Sequence, residues 1–125
     1  MGINRVTLLG NLGKDPDLRT TPEKSPVCVL RVATDERHRD REGEQSVHTE
    51  WHDVVTFGRM AETCASHLRK GREVYVEGRL RTKKWQDKEG HDRYGTEIHA
   101  TSVEFVGAKV GTEDSVPVQG VENAA

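Results

Sequence analysis

The order of secondary structure is clearest in residues 49–85, TEWHDVVTFGRMAETCASHLRKGREVYVEGRLRTKKW. Residues 49–57 are rich in β-branched and aromatic side chains and are followed by a glycine, a composition typical of a strand. Residues 59–70 carry apolar side chains at every fourth position, which predicts a helix. Residues 73–85 have a strand-like composition again. The segment is therefore predicted to form a strand, a helix and a strand.

The predicted helix has one apolar stripe and a defined end. Met60, Cys64 and Leu68 recur at four-residue intervals, so they share a face and predict core packing. Gly71 is a natural helix stop, and the basic pair before it suits the negative end of the helix dipole.

The flanking segments complete an all-β layout of five strands with one helix between the third and fourth strands. This order predicts a five-stranded oligonucleotide-binding (OB) fold, a Greek-key barrel, although SH3-like and other small barrels have similar patterns. The other predicted segments are a strand over 3–13 with a bend or bulge near Gly10 or Gly13, a loop or short irregular extension over 14–26, a strand over 27–34, a charged hairpin arm or loop over 35–47, a turn over 88–90, and a return strand over 94–106.

Composition sets limits on the class of protein. With 125 residues we expect one domain, over residues 1–106, followed by a short disordered acidic tail over 107–125. Only 33% of residues are hydrophobic, so self-association would supply extra burial. The net charge is −2, but residues 1–106 contain 18 bases and 18 acids. Such a neutral body binds a polyanion only if its bases cluster on one surface.

Two cysteines, Cys28 and Cys64, lie in apolar-periodic segments, which predicts buried free thiols. The sequence shows neither a secretory signal pattern nor a run of 18 apolar residues, so we expect no membrane span and a cytosolic or nucleoid-associated protein.

The clearest candidate binding surface is on the fourth predicted strand. Alternate strand residues share a face, so three cations and an indole form one row about 6.6 Å apart. Cations neutralise phosphates and rings stack on bases, a combination that favours sequence-tolerant binding of single strands. The alternative is a solvated edge strand, where charged side chains discourage aggregation. An exposed indole at the end of the strand argues against this alternative. The row consists of Arg79, Arg81, Lys83 and Trp85.

Two aromatic residues on the third strand, Trp51 and Phe57, share a nominal face. The doublet Val54-Val55 blurs which face points inward, so periodicity cannot decide. The usual role of a strand aromatic, core packing, favours a core position for Phe57, and Trp51 stays undecided. A charged cluster at residues 37–41 is interpreted as a solvated arm that is able to add phosphate contacts.

No catalytic or metal-binding pattern emerges. His48 and His52 share a strand face but are roughly 13 Å apart, too far to bind one metal ion. Cys64 and His67 lie near each other on the helix without further ligands at finger-like spacing. We therefore expect no enzyme activity, no cofactor and no metal.

Several stretches together resemble the bacterial single-stranded DNA-binding protein (SSB) family over residues 2 to about 106. They are NRVTLLGNLGKDP at 4–16, TEWH at 49–52, FG at 57–58, LRKG at 68–71, VYVEGRLRT at 74–82, KW at 84–85 and DRY at 92–94.

The resemblance implies an OB-fold homotetramer that binds and protects single-stranded DNA, with little sequence preference, during replication, recombination and repair. It implies that Trp51, Phe57 and Trp85 are exposed and stack on bases, and that residues 4–8 help to form a dimer contact. It also implies a basic DNA-contacting strand made of Arg79, Arg81, Lys83 and Lys84.

The sequence departs from the family pattern at two places. His38 stands where many members carry a further stacking tryptophan; histidine stacks more weakly, so site size or affinity is expected to differ. The family usually ends in an acidic tip that recruits replication and repair enzymes, whereas this chain ends Val121-Glu122-Asn123-Ala124-Ala125. This puts such recruitment in doubt and suggests an accessory, plasmid, phage or otherwise specialised form.

Two other classes of function stay open at this point. A protein-interaction module would keep the fold, bind strands weakly and contact a folded partner. An RNA-binding or RNA-chaperone OB domain would bind matched RNA and DNA strands equally.

Overall fold

A computed structural model of the chain describes residues 1–106. The predicted tail over 107–125, to which the expected lack of an acidic tip refers, lies outside these residues. The elements are β1 (Val6–Leu12), β2 (Asp17–Thr20), β3 (Pro26–Arg39), β4 (Gln45–Phe57), α1 (Gly58–His67), β5 (Glu73–Gln86) and β6 (Asp92–Val106).

The strands form one sheet in the order β1-β5-β6-β4-β3-β2, which closes into a barrel because β1 also pairs with β3. The pairs are antiparallel except β4 with β6, which is parallel over two residues. The barrel has five strands and one helix between β4 and β5, so the predicted all-β OB-fold is confirmed. Strand β2 is an additional short strand that pairs only with β3.

The structure differs from the sequence prediction at one segment and decides between two predicted alternatives at another. The segment over 14–26 contains β2, because its four residues pair with Pro26–Val29 despite the surrounding prolines. The charged residues after Thr34 are a hairpin arm, since β3 and β4 stay paired as far as Arg39 and Gln45. Cross-strand backbone hydrogen bonds do not depend on side-chain hydrophobicity, so polar composition left a hairpin arm and a loop as alternatives.

The helix ends earlier than predicted. Its last residue is His67, and Leu68 is extended while its amide still donates to the Cys64 carbonyl at 3.0 Å. Leu68 is fully buried, so the chain leaves the helix to place that side chain in the core. Gly71 lies beyond the helix at a φ of 92°, and its amide donates to the Leu12 carbonyl. The predicted stop at Gly71 was therefore three residues late.

The hydrophobic core occupies the interior of the barrel and the interface between the barrel and α1. It contains the predicted Cys64 and Leu68, with Met60 partly buried against it. Both cysteines are buried and free, as predicted. Burial raises the pKa of the Cys64 thiol to about 12, so this thiol stays protonated near neutral pH. The fully buried side chains include Cys28, Leu30, Val32, Val54, Val74 and Val76.

Among residues 1–106, α1 is too short to cross a bilayer, and no helix there combines the length and apolarity of a membrane span.

Candidate functional site

Two hairpins extend from the same end of the barrel and share one outer face. β3 and β4 form the first hairpin, and β5 and β6 form the second. Val55 of β4 lies beside His99 of β6 in the parallel pairing, and their neighbours Val54 and Ile98 are buried in the core. Because side chains alternate along a strand, every second residue outward from Val55 and His99 lies on this outer face.

The outer face exposes three large rings. Trp51 is 49% exposed, Phe57 45% and Trp85 45%. A core position for Phe57, which the usual role of strand aromatics favoured, is therefore wrong, and the exposure that the family resemblance implied is observed. Apolar rings exposed together on one face are typical of a binding surface.

Trp51 has a glycine on one side and a cation beside it. The six-membered ring of its indole contacts Gly13, where a Cβ atom would lie 2.7 Å from Cη2. The Arg31 guanidinium carbon lies 5.4 Å from the ring centroid, and Arg31 Nη1 lies 3.2 Å from Asp53 Oδ1. The lack of a side chain at Gly13 therefore lets the chain pass close under the indole.

Trp85 has the same surroundings on the second hairpin. Its six-membered ring contacts Gly95, where a Cβ atom would lie 3.0 Å from Cζ3. Lys83 Nζ lies 5.6 Å from the ring centroid and 3.7 Å from Glu97 Oε2. Each tryptophan thus rests against a glycine and stands beside a cation that is paired with a carboxylate.

Phe57, at the end of β4, contacts the second hairpin. Its ring meets the His99 ring edge-on, with centroids 5.1 Å apart and planes 61° apart. His99 Nε2 lies 2.8 Å from Glu97 Oε1. A row of side chains therefore connects Phe57 through His99 and Glu97 to Lys83.

The basic row predicted on β5 lies on this outer face. Arg79 pairs with His99 and Arg81 pairs with Glu97, so both cations share the face of Lys83 and Trp85. Together with Arg31 they place positive charge on both hairpins, although the domain as a whole is neutral.

Two predicted site residues lie elsewhere. Lys84 belongs to the opposite face of the second hairpin, where it lies 3.4 Å from Asp92 and 5.9 Å from the Tyr94 ring centroid. His38 is paired with Ser46 near the tip of the first hairpin, in the alternation opposite to Trp51. The structure therefore does not bring either residue together with the three rings.

Sequence reasoning missed four residues of this face: Arg31, Asp53, Glu97 and His99. Alternation within β3, β4 and β6 was the available signal, but it identifies a shared face only after the bulge between Glu77 and Gly78 and the β4–β6 pairing are known.

The tip of the second hairpin carries Asp87, Glu89 and His91, whose polar atoms lie within 4.8 Å of one another. Asp87 Oδ1 accepts hydrogen bonds from the backbone amides of Glu89 and His91, both at 2.9 Å. These hydrogen bonds hold the pKa of the Asp87 carboxyl below its usual range, and the bond from the His91 amide has the largest effect. The cluster is explained as a side-chain-closed turn that ends the hairpin.

Two arms with exposed rings and cations on one face of a small barrel define an oligonucleotide-binding type of OB-fold. The chain belongs to the single-strand binding protein (SSB) family, whose model matches residues 3–106. This is a family of non-enzymatic, DNA-binding proteins, so the predicted family and the expected lack of enzyme activity are confirmed.

Solved structures agree with this membership. The chain is 31% identical to the Plasmodium falciparum SSB, solved in complex with ssDNA, with a TM-score of 0.79 over 86% of this chain and 97% of that one. It is 30% identical to a deletion mutant of the single-stranded DNA binding protein from Thermus aquaticus, with a TM-score of 0.75 over 86% of this chain. The match spans 52% of the Thermus aquaticus chain.

Proposed function

We propose that this protein binds and protects single-stranded DNA with little sequence preference, using the outer face of its two hairpins. Trp51, Phe57 and Trp85 stack on bases, while Arg31, Arg79, Arg81 and Lys83 contact phosphates. The observation that carries the proposal is the exposure of all three rings on one face beside those cations. Every base has a π-face, so stacking of this kind tolerates any sequence.

The comparisons support this choice of ligand. The Plasmodium falciparum relative, which this chain matches over 97% of its length, was solved with ssDNA. We infer from the family that the role lies in DNA replication, recombination and repair, and that the protein works in the cytoplasm at the nucleoid. In this proposal Lys84 and His38 are secondary contacts, reached only by a strand that wraps around the edges of the hairpins.

A titration with oligo-dT, followed by tryptophan fluorescence at two salt concentrations, tests the proposal. We expect strong quenching that saturates at a definite ratio of nucleotide to protein, because bases stack on both indoles. Binding should weaken with salt, with a logarithmic slope near −0.7 for each phosphate contacted. A folded protein whose fluorescence does not change would contradict the proposal, and equal affinity for a matched RNA strand would indicate an RNA-binding domain instead.

We also propose that the protein is a homotetramer. Leu9 is 55% exposed and pairs with Tyr75 on the outer side of the β1–β5 sheet, and Ile3 just before β1 is 93% exposed. Exposed apolar side chains on and beside a strand support self-association there.

Light scattering should give a mass about four times 14.0 kDa. Leu9→Glu should lower this mass, because an ionised carboxylate is costly to bury in an apolar contact. Leu18→Glu is the matched control, since Leu18 is 48% exposed on β2. A wild-type mass of 14.0 kDa would refute the tetramer.

A further inference from the structure

Each of the two tryptophans on the outer face lies in a group of four residues with the same chemical roles, although the two groups belong to different hairpins. We call these groups the first and second indole sites; each contains a glycine against the ring, the indole, a cation and a carboxylate. The first indole site is Gly13, Trp51, Arg31 and Asp53, and the second is Gly95, Trp85, Lys83 and Glu97.

We infer that Asp53 and Glu97 are internal counterions, which a bound DNA strand displaces from Arg31 and Lys83. In this way the two carboxylates weaken the binding of the strand and lower its dependence on salt. The inference rests on the proposed function, and it assigns a role to two acidic residues within a surface that binds a polyanion.

The geometry of both ion pairs favours exchange. Arg31 and Asp53 are each 44% exposed, and Lys83 is 57% exposed, so water and a phosphate oxygen reach both cations. Exposed ion pairs contribute little to stability, because solvent screens them and their side chains lose freedom. A phosphate that replaces the carboxylate therefore meets little resistance from the existing pair.

The carboxylate of the second indole site stays in place after the exchange. Glu97 is only 18% exposed and also lies 2.8 Å from His99 Nε2, whereas the long Lys83 side chain is free to swing outward. The strand then brings a phosphate close to a fixed negative charge. Like charges a few ångströms apart repel, and the repulsion is larger near a protein surface than in bulk water.

Salt dependence follows from the same exchange. Each phosphate that meets a cation releases a counterion from the DNA, which makes binding weaker at high salt. A carboxylate that has lost its lysine attracts a cation from solution, and this uptake offsets part of the release. Without the carboxylate, no cation would be taken up at that position, and the release of the DNA counterion would not be offset.

The variant Glu97→Gln tests this inference, because glutamine keeps the shape and a hydrogen-bonding oxygen but removes the charge. Anisotropy of fluorescein-labelled oligo-dT gives the affinity without depending on Trp85 emission. We expect binding about 3- to 10-fold tighter at low salt, from removal of the repulsion. We also expect a logarithmic salt slope that is steeper by up to about 0.7 between roughly 50 and 200 mM NaCl.

Glu62→Gln is the matched control, since Glu62 is exposed on α1 and the change removes the same charge. Equal tightening in both variants would assign the effect to net charge and overturn the inference. A Glu97→Gln protein of wild-type thermal stability that binds equally or more weakly would also overturn it. It would indicate that Glu97 instead positions Lys83 for the strand.

Asp53→Asn provides an independent test at the first indole site, where the same two changes are expected. If neither Asp53→Asn nor Glu97→Gln steepens the salt slope while the wild-type protein binds oligo-dT, the inference fails and the proposed function stands. Failure of the wild-type protein itself to bind would overturn both.

Discussion

Replacement of Trp85 by alanine is expected to weaken binding of oligo-dT about 5- to 150-fold, which corresponds to the roughly 1–3 kcal/mol that stacking of one base contributes in OB-fold proteins of this class. The indole is 45% exposed, so its loss removes a stacking surface and leaves no cavity in the core. Lys83 loses the ring beside it but keeps Glu97 as a partner at 3.7 Å. The variant should therefore fold normally and bind DNA poorly.

Tyr94→Ala is the matched control for this prediction. Tyr94 is an aromatic residue of the same hairpin and is 64% exposed, but it is paired with Lys84 on the opposite face. Fluorescence anisotropy with labelled oligo-dT should show a large loss for Trp85→Ala and a small one for Tyr94→Ala. Equal losses would show that the two faces of the hairpin bind DNA alike, and unchanged affinity in Trp85→Ala would remove this residue from the site.

Replacement of Gly10 by alanine is expected to destabilise the protein by at least about 2 kcal/mol, because overpacking against backbone atoms is not relieved by a rotamer change. Gly10 lies where β1, paired with β5 through Val6–Asn11, begins to pair with β3 and closes the barrel. A Cβ atom at this position would collide with the backbone carbonyl of Ala33 and would lie 3.0 Å from Val32 Cγ1. The clash would force β1 and β3 apart.

Thermal unfolding followed by circular dichroism checks this prediction. For a domain of this size, such a loss lowers Tm by on the order of 10 °C. Gly2→Ala is the control, since a Cβ atom at Gly2 meets nothing within 4 Å and its Tm should match that of the wild type. A wild-type Tm in Gly10→Ala would mean that the barrel closes with more space at this junction than the structure shows.

Local pattern was enough to predict the order of the five barrel strands and the helix, and the basic row, but not the short strand β2. The apolar residues of α1 recur with the helical period, and Cys64 is buried as that period requires, whereas Leu68 is buried although it lies just beyond the helix. Arg79, Arg81, Lys83 and Trp85 share a face because β5 is a regular strand from Arg79 onward, and alternation is a property of the extended backbone alone. The resemblance to the family then pointed to the ligand.

Alternation failed where two apolar residues were adjacent. At Val54-Val55 both side chains are buried, Val54 in the barrel and Val55 beneath the outer face at 6% exposure. From the sequence, either face of β4 was a candidate for the interior, so Phe57 was not assignable. The parallel pairing of β4 with β6 settles the matter, since it puts Val54 beside Ile98 in the core and Val55 beside His99 outside.

The composition of the candidate site was likewise beyond local pattern. Arg31 and Trp51 are twenty positions apart in the sequence, yet they meet because β3 pairs with β4 in one register. Gly13 is even more distant from Trp51 in the sequence, and it meets the indole because the segment after β1 passes beneath the ring. The second indole site depends in the same way on the register of β5 with β6. Residue periodicity thus established which side chains share a strand face. Long-range strand pairing established which faces join, because hydrogen-bond register is a relation between distant segments that neither segment encodes alone.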